Sequence, residues 1–259
     1  MSLITKLTNH GGYYCCFYCY LKGVHVPICK KRQYPLSLPL NIRDPKSFAT
    51  HARRAQIINQ SLYGHKGRSK FANILDVPFP LSIICDYQHV SLLRHFRDVV
   101  KVISSSLSIQ TRKNIDYNLR NQAFPHFFNR KMRGIDEFSF IKASELRNLL
   151  LYGFIPNFYD ILPLEKAAHI CLFICGIRLL HCSNENFEKS RSSLAGNLLK
   201  IYYQNHDKFY EYLQNFVLHL HIHFATNYDR HGALSCVNTF AQESLIGYIA
   251  SNRNGKLTS

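Results

Sequence analysis

Acidic residues are scarce in this chain. Its 259 residues hold 16 Asp and Glu against 32 Lys and Arg, which gives a formal net charge of +16 and a pI near 9.5. Such an excess of positive charge favours a polyanion or an acidic surface as partner, with nucleic acid as the first expectation. The 46% of hydrophobic residues, with 16 Tyr and 18 Phe, exclude a disordered basic tail and predict a packed globule.

Long apolar runs are also missing. The best stretch, Ala167 to Leu180, is interrupted by His169 and Arg178, whereas a spanning helix needs roughly 20 apolar residues. We therefore expect no membrane-spanning segment. Residues 1–10 contain no apolar signal-peptide core, so we do not expect secretion. The nine cysteines are then expected to be thiols or metal ligands in a reducing compartment.

The segment Gly64 to Ser69 lacks the spacing of a phosphate-binding P-loop, so nothing in the sequence indicates a nucleotide-driven motor.

The composition and the spacing of apolar residues change near residue 90. Residues 1–90 carry most of the Pro and Gly and only short apolar runs, which predicts loops and short strands. From Ser91 onward, apolar residues recur at helical spacing, with Ser91 as a candidate N-cap. We predict further helices at about 107–123, 142–153, 164–182, 185–204 and 207–229, with Pro163 in a first turn and Ser183 as an N-cap. The predicted fold class is mainly α with a few short strands.

A helical core is expected in the second half of the chain. Its predicted members are Leu149, Leu150, Leu151, Ile170, Phe173, Ile174 and Ile177. Cys171, Cys175 and Cys182 lie on or beside the same apolar helix, and we expect them to be small buried hydrophobic residues.

Cys16 and Cys19 form a C-x-x-C, a spacing that lets a tight turn direct two thiolates at one zinc ion. Ordinary buried cysteines are the alternative. Cys15 and Cys29 are competing thiols nearby, and a C-x-x-x-C that uses Cys15 is sterically possible. No second C-x-x-C exists, so any further ligands must come from elsewhere in the chain.

His219 and His223 are spaced i and i+4, on one helical face, and such a pair can bind one metal ion. A structural role for this pair is the alternative. Together with the two cysteines they would form a Cys2His2 zinc clasp between segments about 200 residues apart. His221 points away from this face, so we expect a surface position or a satisfied core position for it.

Two acidic positions are of interest. Asp86 and His89 form a D-x-x-H between an apolar run and a helix start, where side chains often converge on a site. A helix N-terminal carboxylate is the simpler interpretation of Asp86. Glu243 opens the last apolar segment, and its default interpretation is a solvated helix residue.

Clusters of basic residues are spread along the chain. They predict a broad, sequence-independent phosphate-binding surface with steep salt dependence, although a solvated face is the alternative for each one. The candidate DNA contacts are Lys30, Lys31, Arg32, Arg53, Arg54, Lys66, Arg68 and Lys70. Further basic pairs lie at Arg112-Lys113 and between Arg130 and Arg133.

Taken in order, these motifs resemble the C-terminal half of the catalytic region of CACTA (En/Spm) superfamily transposases, which are DDE enzymes with an RNase H-like fold. The resemblance covers nearly the whole chain and depends on the order of the motifs. These are Gly11 to Tyr14, Cys16 with Cys19, Tyr34-Pro35, Gly64 to Lys70, Asp86 to His89, Ile115 to Leu119, Lys142 to Leu150, His219 to His223, Gly232 to Leu234 and Phe240 to Glu243.

The resemblance implies several roles. Cys16, Cys19, His219 and His223 are the structural zinc ligands, and Glu243 is the third acid of the DDE triad. Asp86 and His89 are a box of the helical insertion that separates the second acid from the third. In the intact family, three carboxylates hold two Mg²⁺ ions about 4 Å apart, which drive in-line attack on a DNA phosphodiester. The resemblance further implies transposon-end DNA as partner and a nuclear location.

The same resemblance divides the chain into three parts. Residues 1–90 are a loop and short-strand region with the C-x-x-C half-site, 91–206 are the helical insertion, and 207–259 carry the histidines and Glu243. The first two acids of the triad fall before residue 1 in this alignment of motifs, and pieces of the central sheet fall there too. We therefore expect a fragment that does not cleave DNA alone, and we expect a missing N-terminal portion or a second copy to cover its apolar surface. A non-catalytic zinc-stabilised domain that binds DNA or protein is the alternative.

Overall fold

The fold is described by a computed structural model that covers residues 2–123, 132–182 and 188–253. Helices of all types make up 60% of it, so the predicted fold class, mainly α with a few short strands, is confirmed. The α-helices are α1 (Ser2–Thr5), α2 (Pro45–Ile58), α3 (Arg97–Ser105), α4 (Ile109–Asn121), α5 (Ala143–Asn148), α6 (Phe154–Phe158), α7 (Leu164–His181), α8 (Glu188–Asn205), α9 (Phe216–Leu220), α10 (Phe224–His231) and α11 (Phe240–Arg253).

The described residues up to 90 contain one hairpin and one substantial helix. Strands β1 (Val24–Val26) and β2 (Lys31–Gln33) pair antiparallel, with Val24 opposite Gln33. Helix α2 begins after Asp44, whose carboxylate accepts hydrogen bonds from the amides of Lys46 and Ser47. This N-cap, followed by Pro45 in the first turn, fixes where the helix starts.

The helix predicted from Ser91 starts earlier than expected. A π-helical segment, Gln88–Phe96, runs directly into α3, and π-helical turns are uncommon and often occur at functional sites. Ser91 is therefore not an N-cap, because it lies inside this segment. Its buried hydroxyl instead pairs with the Nε2 atom of His221 at 3.0 Å.

Asp116 and Glu145, the two acids in the motifs at 115–119 and 142–150, stabilise the local backbone. The carboxylate of Asp116 accepts hydrogen bonds from the amides of Ile135 and Asp136, which open a 3-10 turn at Ile135–Glu137. Glu145 is buried and accepts from the amide of Lys142 at 2.9 Å, so it caps α5. Both carboxylates satisfy backbone donors that would otherwise be unpaired.

Helices α7 and α8 pack antiparallel. Contacts between them run from His169 with Tyr202, through Gly176 with Leu199, to Cys182 with Arg191. All seven predicted core residues of 149–177 are buried. Ser183 lies outside the described residues, and so does the predicted start of the next helix at 185.

The prediction that the cysteines of α7 are buried is wrong. Cys171 is half-buried, and Cys175 and Cys182 are exposed. The apolar residues of α7 surround the helix on all sides, so the sequence pattern did not reveal which face packs. The structure buries the face of Ile170, Phe173 and Ile177, and Cys175 lies on the other side.

The single helix predicted at 207–229 is also wrong. A 3-10 turn at His206–Lys208 is followed by a loop, in which Tyr212 has a left-handed φ of 59°. Asn215 then caps α9, and a 3-10 turn at His221–His223 joins α9 to α10. The N-cap of Asn215 restarts the helix, because its side chain accepts from the amide of Leu218. The predicted boundaries at 90 and 206 stay predictions.

Candidate metal centre and acid–histidine cluster

The C-x-x-C lies in a tight loop that the backbone holds in place. The amide of Tyr18 points at the sulfur of Cys16 at 3.4 Å, and the amide of Arg43 donates to the carbonyl of Tyr18 at 2.7 Å. Cys19 forms an isolated antiparallel bridge with Ile42. Both cysteine side chains are fully buried, so this loop presents two thiols to the interior of the protein.

The two histidines reach the same point from α9 and the turn after it. The Nε2 atom of His219 lies 3.3 Å from the sulfur of Cys19, and the Nε2 atom of His223 lies 3.5 Å from the sulfur of Cys16. The two Nε2 atoms are 3.4 Å apart. All four ligand atoms lie within 4.8 Å of one another, and all four residues are buried.

This spacing matches a tetrahedral zinc site. Zinc–sulfur bonds of about 2.3 Å and zinc–nitrogen bonds of about 2.0 Å separate sulfur from nitrogen by about 3.5 Å and nitrogen from nitrogen by about 3.3 Å. Two sulfurs and two imidazoles are also a donor set of structural zinc sites, in which no position is left open for water or substrate. The four residues are thus close enough to hold a metal ion, and they suit structural zinc.

The local environment favours the protonation states that metal ligands need at Cys19 and His223. Burial raises the pKa of the Cys16 thiol well above its usual value. The pKa of Cys19 falls well below its usual value, because its sulfur accepts hydrogen bonds from Cys16 and then from both imidazoles. Burial lowers the pKa of His223, which keeps its ring neutral, as a metal ligand must be.

Tyr203 supports the site from behind. Its hydroxyl lies 3.3 Å from Nδ1 of His219 and donates to the backbone carbonyl of Tyr34. The Nδ1–H of His219 can therefore donate to the tyrosine oxygen while Nε2 faces the metal position, an arrangement that orients ligating histidines in many metalloproteins. The sequence pattern gave no indication of Tyr203.

Cys16, and not Cys15, belongs to this cluster. The sulfur of Cys15 lies 3.0 Å from the hydroxyl of Tyr34, which in turn donates to the carbonyl of Gly12 at 2.6 Å. Burial raises the pKa of Cys15 to about 11. Cys29, the other competing thiol, contacts the carbonyls of Val26 and Lys31 in the hairpin.

His221 is a satisfied core histidine, as predicted. It is 1% exposed, its Nδ1 atom lies 3.2 Å from the carbonyl of Leu218, and its Nε2 atom pairs with Ser91. Both ring nitrogens are occupied, so His221 has no capacity left for a metal ion.

The D-x-x-H box and Glu243 meet in a second cluster. Nδ1 of His89 contacts the carboxylate of Asp86, and Nε2 of His89 lies 3.0 Å from Oε1 of Glu243. The side-chain amide of Gln88 donates from Nε2 to the other oxygen of Glu243 at 2.6 Å. Thr239 closes the group by donating to Asp86 at 3.0 Å. Sequence analysis treated the box and Glu243 separately and missed Gln88 and Thr239.

This second cluster is half exposed and contains two carboxylates. The side chains of His89 and Glu243 are 51% and 45% exposed, and that of Asp86 is 24% exposed. Asp86 also accepts from the amide of Gln88 at 3.0 Å, so it caps the helix start as the simpler interpretation predicted. Among the described residues, the Cys2His2 quartet is the single group of three or more Cys, His, Asp or Glu side chains placed to share a metal ion.

The candidate DNA contacts fall into two sets. Lys30 and Lys31 are exposed at the hairpin, whereas the Arg32 guanidinium donates to the carbonyl of Gly11 and stacks 3.8 Å over the ring of Tyr13. The second set lies on α2 and the segment after it, where all five side chains are exposed: Arg53, Arg54, Lys66, Arg68 and Lys70.

Further cations, which the sequence analysis missed, lie near the hairpin. Arg94, Arg97, Lys101 and Lys31 of β2 all interact electrostatically with Asp98. Burial raises the pKa of Asp98, although all four cations oppose that shift. The spacing of Arg94, Arg97 and Lys101 along one helix face could have revealed this patch, but they alternate with core residues in the sequence.

No family model matches this chain, and neither a curated protein nor a solved structure matches it. In the described part of the chain, none of the helices combines the length and apolar character that crossing a bilayer requires.

Proposed function

We propose that this chain is the C-terminal part of the catalytic region of a CACTA-type DDE transposase, closed by a structural zinc ion. The observation that carries the proposal is the Cys2His2 quartet: the motif resemblance named Cys16, Cys19, His219 and His223, and their ligand atoms lie within 4.8 Å of one another. In this proposal, residues 91–206 are the insertion of the RNase H-like fold, and α9 to α11 belong to its C-terminal part.

The contact between the D-x-x-H box and Glu243 is further support. The resemblance names Asp86, His89 and Glu243 as parts of one catalytic region, and they are separated by about 150 residues of mainly helical insertion. Hydrogen bonds nevertheless bring the box and the acid together. In the intact family, the acid at the position of Glu243 helps to hold Mg²⁺. Asp86, which belongs to the insertion box, faces Glu243 across His89.

DNA is the proposed partner, and the nucleus is the proposed location. The net charge of +16 favours a phosphate backbone. The exposed cations of α2 and the segment 64–70 offer one binding face, and the hairpin with α3 offers another.

The exposed apolar residues of α11 support the expected missing portion or second copy. Leu245, Ile246 and Ile249 are each more than half exposed. An N-terminal portion with the remaining strands, or another copy of this chain, would cover this face of the helix.

The same observations support the alternative, a non-catalytic zinc-stabilised domain that binds DNA or protein. No third carboxylate joins Asp86 and Glu243 within the described residues, and two divalent ions need more ligands than these two acids supply. In a nicking assay on supercoiled plasmid with Mg²⁺ or Mn²⁺, we expect no cleavage by this chain alone, which both functions predict. Cleavage that is lost in Glu243→Gln would overturn the binding-only alternative.

The zinc content of the purified chain tests the central claim. Elemental analysis should give about one zinc per chain, and the double variant Cys19→Ser, His223→Ala should give none. The matched control is Cys175→Ser, His25→Ala, which removes an exposed thiol and an exposed imidazole and should keep the metal. A folded wild-type chain without zinc would refute the clasp.

A further inference from the structure

Arg43 is a fully buried cation without a carboxylate partner. It is 1% exposed, and no acidic side chain pairs with it within the described residues. A buried charge is costly unless it is paired or fully hydrogen-bonded. We therefore expect the groups that accept hydrogen bonds from Arg43 to hold its side chain in one position.

The guanidinium of Arg43 joins two parts of the N-terminal region. On one side, Nε donates to the carbonyl of Cys19 at 3.0 Å, and the backbone amide of Arg43 donates to Tyr18. On the other side, one terminal nitrogen lies 2.7 Å from Nε2 of His65, and the second donates to the carbonyl of Tyr63 at 2.8 Å. One side chain thus connects the C-x-x-C loop to the segment around residue 64.

The segment that Arg43 contacts is the basic one. His65 immediately precedes Lys66, whose amide donates to the carbonyl of Lys6 at 2.7 Å. The ring of His65 packs edge-on against Phe48 of α2, with centroids 4.6 Å apart. Helix α2 itself begins two residues after Arg43. The guanidinium thus contacts segment 64–70 directly at His65, and it reaches segment 45–58 through the ring contact between His65 and Phe48.

Arg43 lies in a part of the chain with few acids. Burial lowers the pKa of its guanidinium. The first 75 residues contain a single acid, Asp44, so their cations repel one another with little local compensation. A rigid anchor is needed to hold the two basic segments side by side.

We propose that Arg43 is a positioning residue that couples metal binding at the Cys2His2 quartet to the binding of a nucleic-acid phosphate backbone by segments 45–58 and 64–70. This inference rests on the proposed zinc site and the proposed DNA partner. A bound metal ion fixes Cys19, the carbonyl of Cys19 fixes the guanidinium, and the guanidinium fixes Tyr63 and His65 at the base of the basic segment.

Such coupling must be reciprocal, because it is a free energy shared by two equilibria. DNA raises the affinity for zinc by the same factor by which zinc raises the affinity for DNA. Lysine at position 43 keeps the positive charge, but its single ammonium group lacks the planar fork that reaches Cys19, His65 and Tyr63 together. The variant Arg43→Lys therefore separates geometry from charge.

The experiment measures zinc affinity of the full-length chain by competition with a chelator, with and without a saturating mixed-sequence DNA duplex. We expect the duplex to raise the zinc affinity of the wild type about 10-fold, and to leave that of Arg43→Lys unchanged. The matched control is Arg120→Lys on α4, whose side chain is exposed and pairs with Glu137. In Arg120→Lys, the duplex should raise the zinc affinity as much as it does in the wild type.

Hydrogen exchange of the wild type provides a second test that does not depend on a variant that folds. Removal of zinc should speed exchange at the amide of Lys66, which is no neighbour of the metal ligands in sequence, more than at the amide of Ala167 in α7. If the duplex still raises the zinc affinity of Arg43→Lys, or if exchange at Lys66 does not change, the coupling through Arg43 is wrong. The proposed zinc site and DNA partner would not be affected by either result. A wild-type chain that holds no zinc would instead refute the proposed function on which it rests.

Discussion

The Nε2 atom of His89 lies 3.0 Å from Oε1 of Glu243, a residue about 150 positions further along the chain. Together with the bond from Gln88, this contact attaches α11 to the start of the π-helical segment. The rest of α11 is largely exposed, so a few polar contacts near its first turn hold the helix in place. Most of the apolar surface of α11 is not used for that attachment.

Loss of this contact should loosen α11 while leaving the global stability nearly unchanged. Because both side chains are about half exposed, the coupling free energy between His89 and Glu243 should be below about 1 kcal/mol. A double-mutant cycle of His89→Ala and Glu243→Gln measures it. Hydrogen exchange in residues 240–253 should accelerate in both variants, whereas exchange in α7 should not change. Equal acceleration in α7 would show that the contact supports the whole fold.

Loss of the metal ligands should destabilise the whole protein. The quartet joins the N-terminal loop to α9, so we expect Cys19→Ser, His223→Ala to lower the free energy of unfolding by the order of 5 kcal/mol. Urea denaturation with and without a chelator measures this. Cys236→Ser removes an exposed thiol outside the quartet and should change nothing. An unchanged unfolding midpoint in the double variant would contradict a structural metal.

Acid should destabilise the helical body through a cluster of buried histidines. The rings of His95, His169, His206 and His221 form a chain with neighbouring centroids 4.9 to 6.1 Å apart. Burial lowers the pKa to about 3 for His206 and His221 and to about 4 for His169, and it lowers that of His95 as well. Below pH 6.5 the unfolded chain binds protons that the folded chain does not. The contribution of these buried histidines to the free energy of unfolding is therefore complete above pH 6.5. It falls by about 1.4 kcal/mol per histidine for each pH unit below 6.5.

The variant His206→Phe isolates one member of this cluster. Neither ring nitrogen of the buried His206 has a hydrogen-bond partner within the described residues, so an apolar ring of similar shape should stabilise the protein by about 1 kcal/mol at pH 7. It should also lessen the loss of stability between pH 7 and pH 5. His25→Phe, at an exposed position, is the control. An unchanged pH dependence in His206→Phe would argue against the buried neutral state.

Two glycines should respond to alanine in opposite ways. A Cβ atom at Gly134 would clash with the side chain of Asp116, which caps the turn at Ile135, so Gly134→Ala should cost about 2 kcal/mol. At Gly247, on the exposed α11, a Cβ atom meets nothing within 4 Å. Gly247→Ala should therefore stabilise the helix by up to about 1 kcal/mol. Thermal denaturation of both variants checks this, and tolerance of alanine at 134 would refute the close approach to Asp116.

DNA binding should lose salt dependence when the cations of α2 and the following segment are neutralised. Each lost phosphate contact makes the slope of log affinity against log salt less negative by about 0.9. Arg53→Gln, Arg54→Gln and Lys66→Gln, combined, should therefore flatten the slope by up to about 3. Fluorescence anisotropy on a mixed-sequence duplex measures it. Arg120→Gln is the control, and an identical slope in the triple variant would exclude this face.

Some residue positions could be predicted from the sequence, and others could not. The seven core positions between Leu149 and Ile177 could be predicted because apolar residues recur at helical spacing and must leave water. Cys175 was misplaced, because an apolar helix does not reveal which side its neighbour covers. The helix predicted at 207–229 was wrong since a local cap at Asn215 and a left-handed Tyr212 interrupt a pattern that is otherwise helical.

The C-x-x-C, the i, i+4 histidines, the D-x-x-H and the excess of cations are visible in the sequence. These follow from local spacing and composition. The tertiary structure alone decided that Cys16, and not Cys15, faces His223, that His89 joins Asp86 to Glu243, and that Arg43 connects Cys19 to His65. Contacts between segments so far apart depend on how helices and loops pack to bury apolar surface. That packing is a property of the whole chain, and no local pattern contains it.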